Sequence, residues 1–352
     1  DNGKMRLLGI PTVVDRLVQQ AINQVLTPIY ENQFSKTSYG FRPRRGCHDA
    51  LRGARRIINE GYRYVVDLDL ERFFDTVNHS KLIEILSRTI KDGRVVSLIH
   101  KYLRSGVMNK GLFEASEEGT PQGGPLSPLL SNIMLNELDK ELERRGLPFV
   151  RYADDSMIFC KSKRAAMRVK ESITRFIENA LYLKVNKEKT VVSYVRGVKY
   201  LGYSFYVMKG KCQLTVHSKS KAKMKSRLKE LTSRSNGWGY AKRKQKLKAY
   251  IKGWLGYYHL ANMKRLLLET DEWLRRRIRM CIWKSWKRVK TKVANLIRCG
   301  ISKHKAYEWG NTRKGYWRIA DSYILHRAIT KEHLCRAGYA TLMGAYLEWY
   351  PK

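Results

Sequence analysis

Residues 151–159 read RYADDSMIF, and they follow the apolar stretch LPFV at 147–150. Apolar residues therefore flank a short polar tip, which is the pattern of a β-hairpin. The tip places Asp154 beside Asp155, and neighbouring carboxylates repel each other and lose hydration near a core. Arg151 is one candidate for the compensating cation. The acidic pair alone fits a solvated turn as well as a catalytic site. Other parts of the sequence are needed to choose between these two interpretations.

The composition indicates a folded protein with a polyanionic partner. The 352 residues include 70 Lys and Arg against 31 Asp and Glu, a formal net charge of +39, and 43% are hydrophobic. That apolar content excludes a disordered basic tail, and the length suffices for two or three domains. The excess charge favours nucleic acid over a membrane surface, and no apolar run approaches the roughly 20 residues of a membrane span. We expect a cytoplasmic protein associated with nucleic acid and not with membranes.

The cysteines and histidines do not indicate a sulfur or histidine metal site. The six Cys are scattered without a CxxC pair, and the eight His form no HExxH pattern. Such spacing argues against a zinc ribbon or a disulfide framework and suits a reducing compartment. Any metal should therefore be held by oxygen ligands.

The pattern along the chain changes near residue 211. Residues 1–210 mix predicted helices, such as 13–29, one that starts at 78–80 and 163–180, with predicted strands such as 199–207 and without strict βαβ alternation, which favours the α+β class. Residues 211–300 contain 26 Lys or Arg against four acidic residues, and their apolar spacing is helical, with a third long helix predicted at about 263–290. A basic helical domain fits a groove that tracks phosphates, and its aromatic residues can either pack or stack on bases.

Two stretches of the chain can supply carboxylates to one site. Phosphoryl transfer with two metal ions needs carboxylates from separate strands, with the ions about 3.5–4 Å apart. The predicted strand 64–70 and the hairpin tip with Asp154 and Asp155 can meet this need, and Mg²⁺ prefers oxygen ligands. Strand alternation places Asp67 and Asp69 on the same face, so periodicity does not choose between them.

Six segments occur in order between residues 4 and 205. They are GIPTVVDR (9–16), SYGFRPRRG (38–46), VDLDLERFFDTVNH (66–79), GTPQGGPLSPLLSN (119–132), RYADD (151–155) and KYLGYSF (199–205). Together they resemble the sequence blocks of the group II intron-encoded reverse transcriptases, also called maturases. Two further segments, at 251–264 and 275–288, resemble the family's maturase-specific domain, which also serves as the polymerase thumb, and residues 315–329 are similar to the C-terminal part of bacterial members.

This resemblance implies an α+β right-hand polymerase fold followed by an all-helical thumb. The expected domains are 1–64 as partial fingers, 65–210 as palm with part of the fingers, 211–292 as the thumb or maturase domain, and 293–352 as a basic DNA-binding-like extension. The implied function is an RNA-directed DNA polymerase that copies intron RNA during retrohoming and assists splicing. The implied partners are intron RNA, a DNA primer or target and dNTPs, with the choice between monomer and dimer left open.

The resemblance also assigns residues to the site. The pattern D-x-x-x-F-F-D selects Asp69 over Asp67 as a ligand of two Mg²⁺ ions, together with Asp154 and Asp155. Asp67 then becomes a strand-end carboxylate. For the dNTP, Phe74 is the expected gate against a 2′-hydroxyl, with a core position as its alternative. The other expected dNTP contacts are the N–H groups of Arg72 and Phe73, Gln122 and Arg6.

The expected nucleic-acid contacts are Arg42, Arg44, Arg45, Tyr152, Lys221, Lys225, Arg275 and Arg276. For the three finger arginines, a structural role in the loop and a solvated charge run remain open. The chain starts at Asp1 without Met, and no paired cysteines follow Ile301. We therefore expect an N-terminally incomplete member without an endonuclease. Two other functions stay open: a non-catalytic RNA-binding splicing cofactor, and a host-adopted relative in DNA repair or phage defence.

Overall fold

The structure is a computed structural model that describes residues 9–109, 112–114, 117–120 and 123–349. The chain forms two compact units. The first contains the residues up to Leu201 together with Phe205–Cys212, and the second contains Gly202–Ser204 together with the residues from Gln213 onward. Within the described residues, no helix is long and apolar enough to cross a membrane.

The first unit mixes helices with short strands. Its elements are α1 (Val13–Glu31), α2 (Cys47–Asn59), β1 (Tyr64–Leu68), α3 (Phe73–Thr76), α4 (His79–Thr89), α5 (Gly93–Arg104), β2 (Val107–Asn109), β3 (Leu112–Glu114), α6 (Ser127–Arg144), β4 (Phe149–Tyr152), β5 (Asp155–Cys160), α7 (Lys163–Ala180) and β6 (Val191–Tyr194). A hairpin of β7 (Tyr203–Met208) and β8 (Lys211–Val216) follows and leads into the helices of the second unit. The predicted α+β class with an antiparallel sheet is confirmed.

An antiparallel sheet with the strand order β4-β5-β1-β6 lies at the centre of the first unit. In the register of β1 with β5, Leu68 lies opposite Ser156. In the hairpin of β4 and β5, Tyr152 lies opposite Asp155, so residues 153 and 154 form the turn. The carboxyl end of β1 and the tip of the hairpin therefore lie at the same edge of the sheet.

Helix α7 packs on β1, β5 and β6, and α2 packs on β4. The buried residues Ala166, Ile173 and Ile177 of α7 recur at helical spacing, which gives the helix one apolar face toward the sheet. Full burial of a side chain such as Ile177 contributes about 1.5–3 kcal/mol. This packing fixes the central strands and, through them, the edge where the acidic residues lie.

Local signals explain several element boundaries. The predicted helix start at 78–80 is confirmed, because Asn78 caps α4 by accepting the N–H of Lys81 at 2.9 Å. The predicted strand 199–207 was placed too early: Leu201 and Gly202 have positive φ angles of 48° and 80°, so β7 begins only at Tyr203. A predicted third long helix in the basic region, 263–290, was too long, since α10 ends at Ser285.

The second unit is helical and basic. Its helices are α8 (Ser218–Leu231), α9 (Tyr240–Tyr258), α10 (Lys264–Ser285), α11 (Val289–Arg298), α12 (Lys303–Gly310), α13 (Tyr316–Ile319), α14 (Tyr323–Ala328), α15 (Lys331–Arg336) and α16 (Leu342–Trp349). Helix α10 contacts α8, α13 and α16. The buried Asp271 of α10 accepts the N–H groups of Leu342 and Met343 at 2.8 and 2.9 Å, so its carboxylate binds the first turn of α16.

This contact predicts a stability effect. Replacing Asp271→Ala leaves two N–H groups of α16 without their charged acceptor, and we expect the free energy of unfolding of the second unit to fall by about 1–3 kcal/mol. The matched control is Glu272→Ala, because Glu272 is the next residue of α10 and is exposed. Urea denaturation of both variants measures the difference. Equal stability of the two variants would show that the cap contributes nothing.

Candidate active site

The three acidic residues selected from the sequence lie at one edge of the central sheet. Asp69 directly follows β1, Asp154 lies in the turn of the neighbouring hairpin, and Asp155 begins β5. Their mutual influence is visible in the pKa of Asp155, which is raised first by burial and then by the charges of Asp154 and Asp69. Since Asp155 still reaches solvent, the group is open to a ligand.

A fourth carboxylate, Asp67, belongs to the same group. Burial raises its pKa to about 6, and the charges of Asp155 and Asp69 add to the shift while Lys199 opposes it. The sequence interpretation of Asp67 as a plain strand-end carboxylate missed this proximity. The signal was present in the sequence, because strand alternation had already placed Asp67 and Asp69 on one face.

These residues have the donor chemistry that Mg²⁺ requires. Burial and then neighbouring negative charge raise the pKa of Asp67 and Asp155, and a divalent cation with oxygen ligands would offset that charge. The described side chains do not converge as a set of three or more Asp, Glu, His or Cys around one point. Lys189 Nζ lies 3.4 Å from Asp69 Oδ2 and is largely exposed, so this lysine supplies part of the compensation through a weak, displaceable pair.

The backbone of Asp69 is fixed by a buried threonine. The Asp69 N–H donates to Thr190 Oγ1 at 3.2 Å, and the same hydroxyl donates to the Asp69 carbonyl at 3.3 Å. The N–H of Asn186 donates to that carbonyl as well, at 2.9 Å. Thr190 is fully buried. The residue that follows β1 is therefore held on both sides of its Cα.

The hairpin is anchored by Arg151, whose side chain is completely buried. Its guanidinium donates to both carboxylate oxygens of Asp139 on α6, at 2.8 and 2.6 Å, in the bidentate geometry of a strong ion pair. The third nitrogen, Nη1, donates to Asn132 Oδ1 at 2.9 Å and to the Ala153 carbonyl at 3.0 Å. The hypothesis that Arg151 compensates the acidic pair is therefore wrong, because its charge is committed to Asp139.

The turn itself adopts an unusual backbone. Ala153 has φ of 57°, a left-handed conformation that costs a non-glycine residue about 1–3 kcal/mol. Gly40 lies directly against it, since a Cβ on Gly40 would come within 2.1 Å of the Ala153 nitrogen. Asn132 Nδ2 donates to the Gly40 carbonyl at 2.8 Å. The strained turn is thus clamped between Arg151 and the loop around Gly40.

Three of the residues expected at the nucleotide, Arg72, Phe73 and Phe74, lie in or next to α3. Phe73 is buried, and the half-exposed ring of Phe74 rests on it edge to face, with the ring centroids 5.3 Å apart. Arg72 precedes α3 with φ of 46°, and N–H groups at a helix start have no intrahelical acceptor. Arg6 and Gln122 lie outside the described residues.

The three finger arginines differ in their surroundings. Arg42 is buried, pairs with Glu31 at 2.7 Å and donates to the carbonyls of Ser35 and Ser38, so it takes the structural role in the finger loop instead of presenting its charge to a phosphate. Arg45 donates to the Ser38 carbonyl at 3.2 Å and is half-exposed. Arg44 is exposed.

The remaining expected contacts also differ. Arg276 pairs with Asp321 at 2.9 Å and stacks on Trp317 with 4.0 Å to the ring centroid, so it ties α10 to α13. Lys225 on α8 is exposed. Lys221, Arg275 and Tyr152 are half-buried. Lys225 is the member of this set with the most open charge.

Two family models match this chain. Residues 1–205 match the family model described as reverse transcriptase (RNA-dependent DNA polymerase). The chain belongs to the reverse transcriptase family. Residues 221–300 match the group II intron, maturase-specific domain, so the predicted resemblance to the group II intron reverse transcriptases is confirmed.

Two curated relatives show how far the similarity extends. Protein YkfC of Escherichia coli (strain K12) is 36% identical over 241 residues, which cover 57% of this reverse transcriptase chain and 63% of YkfC. The group II intron-encoded protein LtrA of Lactococcus lactis subsp. cremoris is 33% identical over 269 residues, which cover 58% of this chain and 45% of LtrA. The chain thus spans less than two thirds of the length of these relatives. Apo telomerase from Candida tropicalis aligns with a TM-score of 0.47 and 14% identity over 93% of this chain and 62% of the telomerase.

The anchor of the hairpin predicts a stability effect within the reverse transcriptase unit. Replacing Arg151→Met leaves the carboxylate of Asp139 buried without its cation, and we expect the free energy of unfolding of the first unit to fall by about 3–5 kcal/mol. The control is Arg144→Met, which removes an exposed arginine paired with Glu141 and should lower the free energy of unfolding far less. Denaturant titration of both variants tests this, and a similar loss in both would contradict it.

Proposed function

We propose that the protein is an RNA-directed DNA polymerase encoded by a group II intron, which copies intron RNA into DNA during retrohoming and binds that RNA to assist splicing. The observation that carries the proposal is the pairing of β1 with β5, which brings Asp69, Asp154 and Asp155 to one sheet edge in a chain with a reverse transcriptase match over residues 1–205. The substrates would be a DNA primer with a free 3′-hydroxyl, dNTPs and an RNA template.

The carboxylates of Asp69, Asp154 and Asp155 would hold two Mg²⁺ ions. Bound ions of this kind activate the attacking hydroxyl and neutralise the leaving oxygens. The protein's own contribution is to fix the ligands: Thr190 holds the backbone of Asp69, and Arg151 holds the turn that carries the other two. Rigid support of this kind pre-organises the site before substrate arrives.

The nucleotide would lie against α3. The half-exposed ring of Phe74 would stand where a 2′-hydroxyl needs room, so the site would reject ribonucleotides by steric exclusion. The N–H groups of Arg72 and Phe73, at the start of α3, suit the triphosphate. Arg6 and Gln122 are proposed as further contacts to the nucleotide.

A second candidate function is that of an RNA-binding splicing cofactor. The match of residues 221–300 to the maturase-specific domain favours it, as does the surplus of 22 positive charges between residues 211 and 300. The two functions are compatible, because chemistry would depend on the first unit while much of the RNA binding would depend on the second. Intron RNA would then be both the template and the splicing substrate.

The polymerase proposal predicts the effect of removing single carboxylate charges. Asp69→Asn and Asp154→Asn should each lower primer extension on an RNA template by at least about a hundredfold, because each removes one metal ligand of the transition state. The control is Asp92→Asn, an exposed helix cap whose asparagine replacement still caps α5. Initial rates with Mg²⁺ and dNTPs measure the effect.

The same variants separate the two functions. Filter binding to intron RNA and the rate of assisted splicing should stay within about twofold of wild type in Asp154→Asn, since neutral substitution leaves the second unit unchanged. Extension that survives in both carboxylate variants would contradict the assignment of the site. A wild-type protein that binds RNA and assists splicing but does not extend a primer would leave the cofactor as the function.

Phosphate contacts predict a salt dependence of RNA binding. The affinity for intron RNA should fall steeply with salt, and Lys225→Ala should reduce the slope of log K against log salt by about 0.7–0.9, the contribution of one phosphate contact. Arg227→Ala on the same helix is the control, because Arg227 is already paired with Glu230. Equal slopes for Lys225→Ala and wild type would exclude Lys225 from the interface.

A further inference from the structure

A short segment at the start of the GTPQGG motif (119–124) contacts the backbone of the proposed nucleotide gate. This segment, Glu118–Thr120, is named the clamp segment here. The N–H of Gly119 donates to the Val77 carbonyl at 2.8 Å, and the N–H of Thr120 donates to the carbonyl of Phe74 at 2.6 Å. The second bond is to the gate residue itself, so the position of the clamp segment and that of Phe74 are coupled.

Gly119 allows this approach because it has no side chain. A Cβ on Gly119 would lie 2.8 Å from the Phe74 carbonyl oxygen and 2.9 Å from the carbonyl carbon of Asp75. These are backbone atoms, which cannot rotate out of the way as the end of a long side chain can. Gly119 also has φ of +89°, a conformation that L-residues rarely adopt. Any larger residue therefore has to push α3 and the clamp segment apart.

His79 makes a second contact to the clamp segment. Its side chain is 5% exposed, and Nε2 donates to the Gly119 carbonyl at 2.6 Å. Because a carbonyl oxygen only accepts, the ring must carry its proton on Nε2. Gly119 is thereby held through its N–H by Val77 and through its carbonyl by His79.

Two contacts fix the position of Phe74. The buried ring of Phe73 packs edge to face against the Phe74 ring. The clamp segment holds the main chain of Phe74 through a hydrogen bond to its carbonyl. A shift of the Phe74 main chain would move its ring, and the distance from the ring to the sugar of a bound nucleotide would then change.

We propose that Gly119 and His79 are positioning residues that set the sugar selectivity of the nucleotide site by fixing the main chain of Phe74. The inference rests on the proposed function, in which Phe74 is the gate that excludes a 2′-hydroxyl. Neither residue touches the nucleotide. Each acts through the hydrogen bonds of the clamp segment.

The test is the ratio of kcat/KM for a dNTP to that for the corresponding NTP. This ratio is measured on one preparation, so it does not depend on the fraction of protein that is active, and a loss of stability alone does not move it. Gly119→Ala should lower the ratio by about tenfold, the scale of a misplaced group in a steric pocket. The matched control is Gly93→Ala, because a Cβ there meets nothing within 4 Å and the glycine begins α5; its ratio should equal that of wild type.

His79 provides a second, independent pair of variants. His79→Leu removes the donor to the Gly119 carbonyl and should lower the ratio, whereas His79→Gln offers an amide N–H and should restore most of it. A purely structural role would lower kcat or stability in both variants and leave the ratio unchanged.

Phe74→Ala distinguishes the role of Phe74 as the gate from the positioning role of Gly119 and His79. A lowered ratio in Phe74→Ala and in Gly119→Ala supports the positioning role. A lowered ratio in Phe74→Ala with wild-type ratios in Gly119→Ala and His79→Leu overturns the positioning role but leaves the gate intact. An unchanged ratio in Phe74→Ala overturns the gate, and with it the inference, while a wild type that incorporates no dNTP overturns the polymerase function.

Discussion

The buried ion pair between Arg151 and Asp139 is the interaction on which the candidate site depends. It joins the strand β4 to helix α6, and the same guanidinium holds the carbonyl of Ala153 in the turn that presents Asp154. A buried pair of this kind contributes little net stability relative to an apolar core, but it fixes geometry, because either partner left alone is very costly. The strained φ of Ala153 persists since both neighbours of the turn, Arg151 and Gly40, hold it.

Charge is distributed differently in the two units, as the proposed polymerase and RNA-binding functions require. In a protein of net charge +39, the sheet edge concentrates Asp67, Asp69, Asp154 and Asp155, and burial followed by the negative charge of their neighbours raises the pKa of Asp67 and Asp155. Neighbouring carboxylates of this kind are the oxygen ligands that divalent cations such as Mg²⁺ prefer, which fits the proposed metal site. Positive charge predominates in the helices of the second unit, where exposed lysines such as Lys225 suit a phosphate backbone. The two units thus carry the opposite charges that the proposed Mg²⁺ site and the proposed RNA-binding surface require.

Much of the fold was predictable because its signals are local. The hairpin at 149–160, the cap of α4 and the helix α7 follow from apolar spacing and capping residues. The partner of Arg151 was not predictable from neighbours in sequence, because Asp139 lies twelve residues earlier on another element. A signal did exist: Asn132, Asn136 and Asp139 recur on one face of α6 among apolar residues, which indicates a buried polar partner. Arg42 was ambiguous for a similar reason, since only the fold brings it to Glu31. The family pattern selected the acidic residues, but it did not include Asp67, whose proximity depends on the register of β1 with β5.

We propose that the end of β1 and the tip of the hairpin together hold divalent ions, and iron-mediated cleavage can detect ions bound there. Fe²⁺ replaces Mg²⁺, and the radicals that it generates with ascorbate and peroxide cut the backbone next to the bound ion. We expect cuts near residues 67–70 and 152–156, suppressed by excess Mg²⁺ and absent in Asp69→Asn. Cuts confined to other parts of the chain, or cuts at these positions that persist in Asp69→Asn, would contradict it.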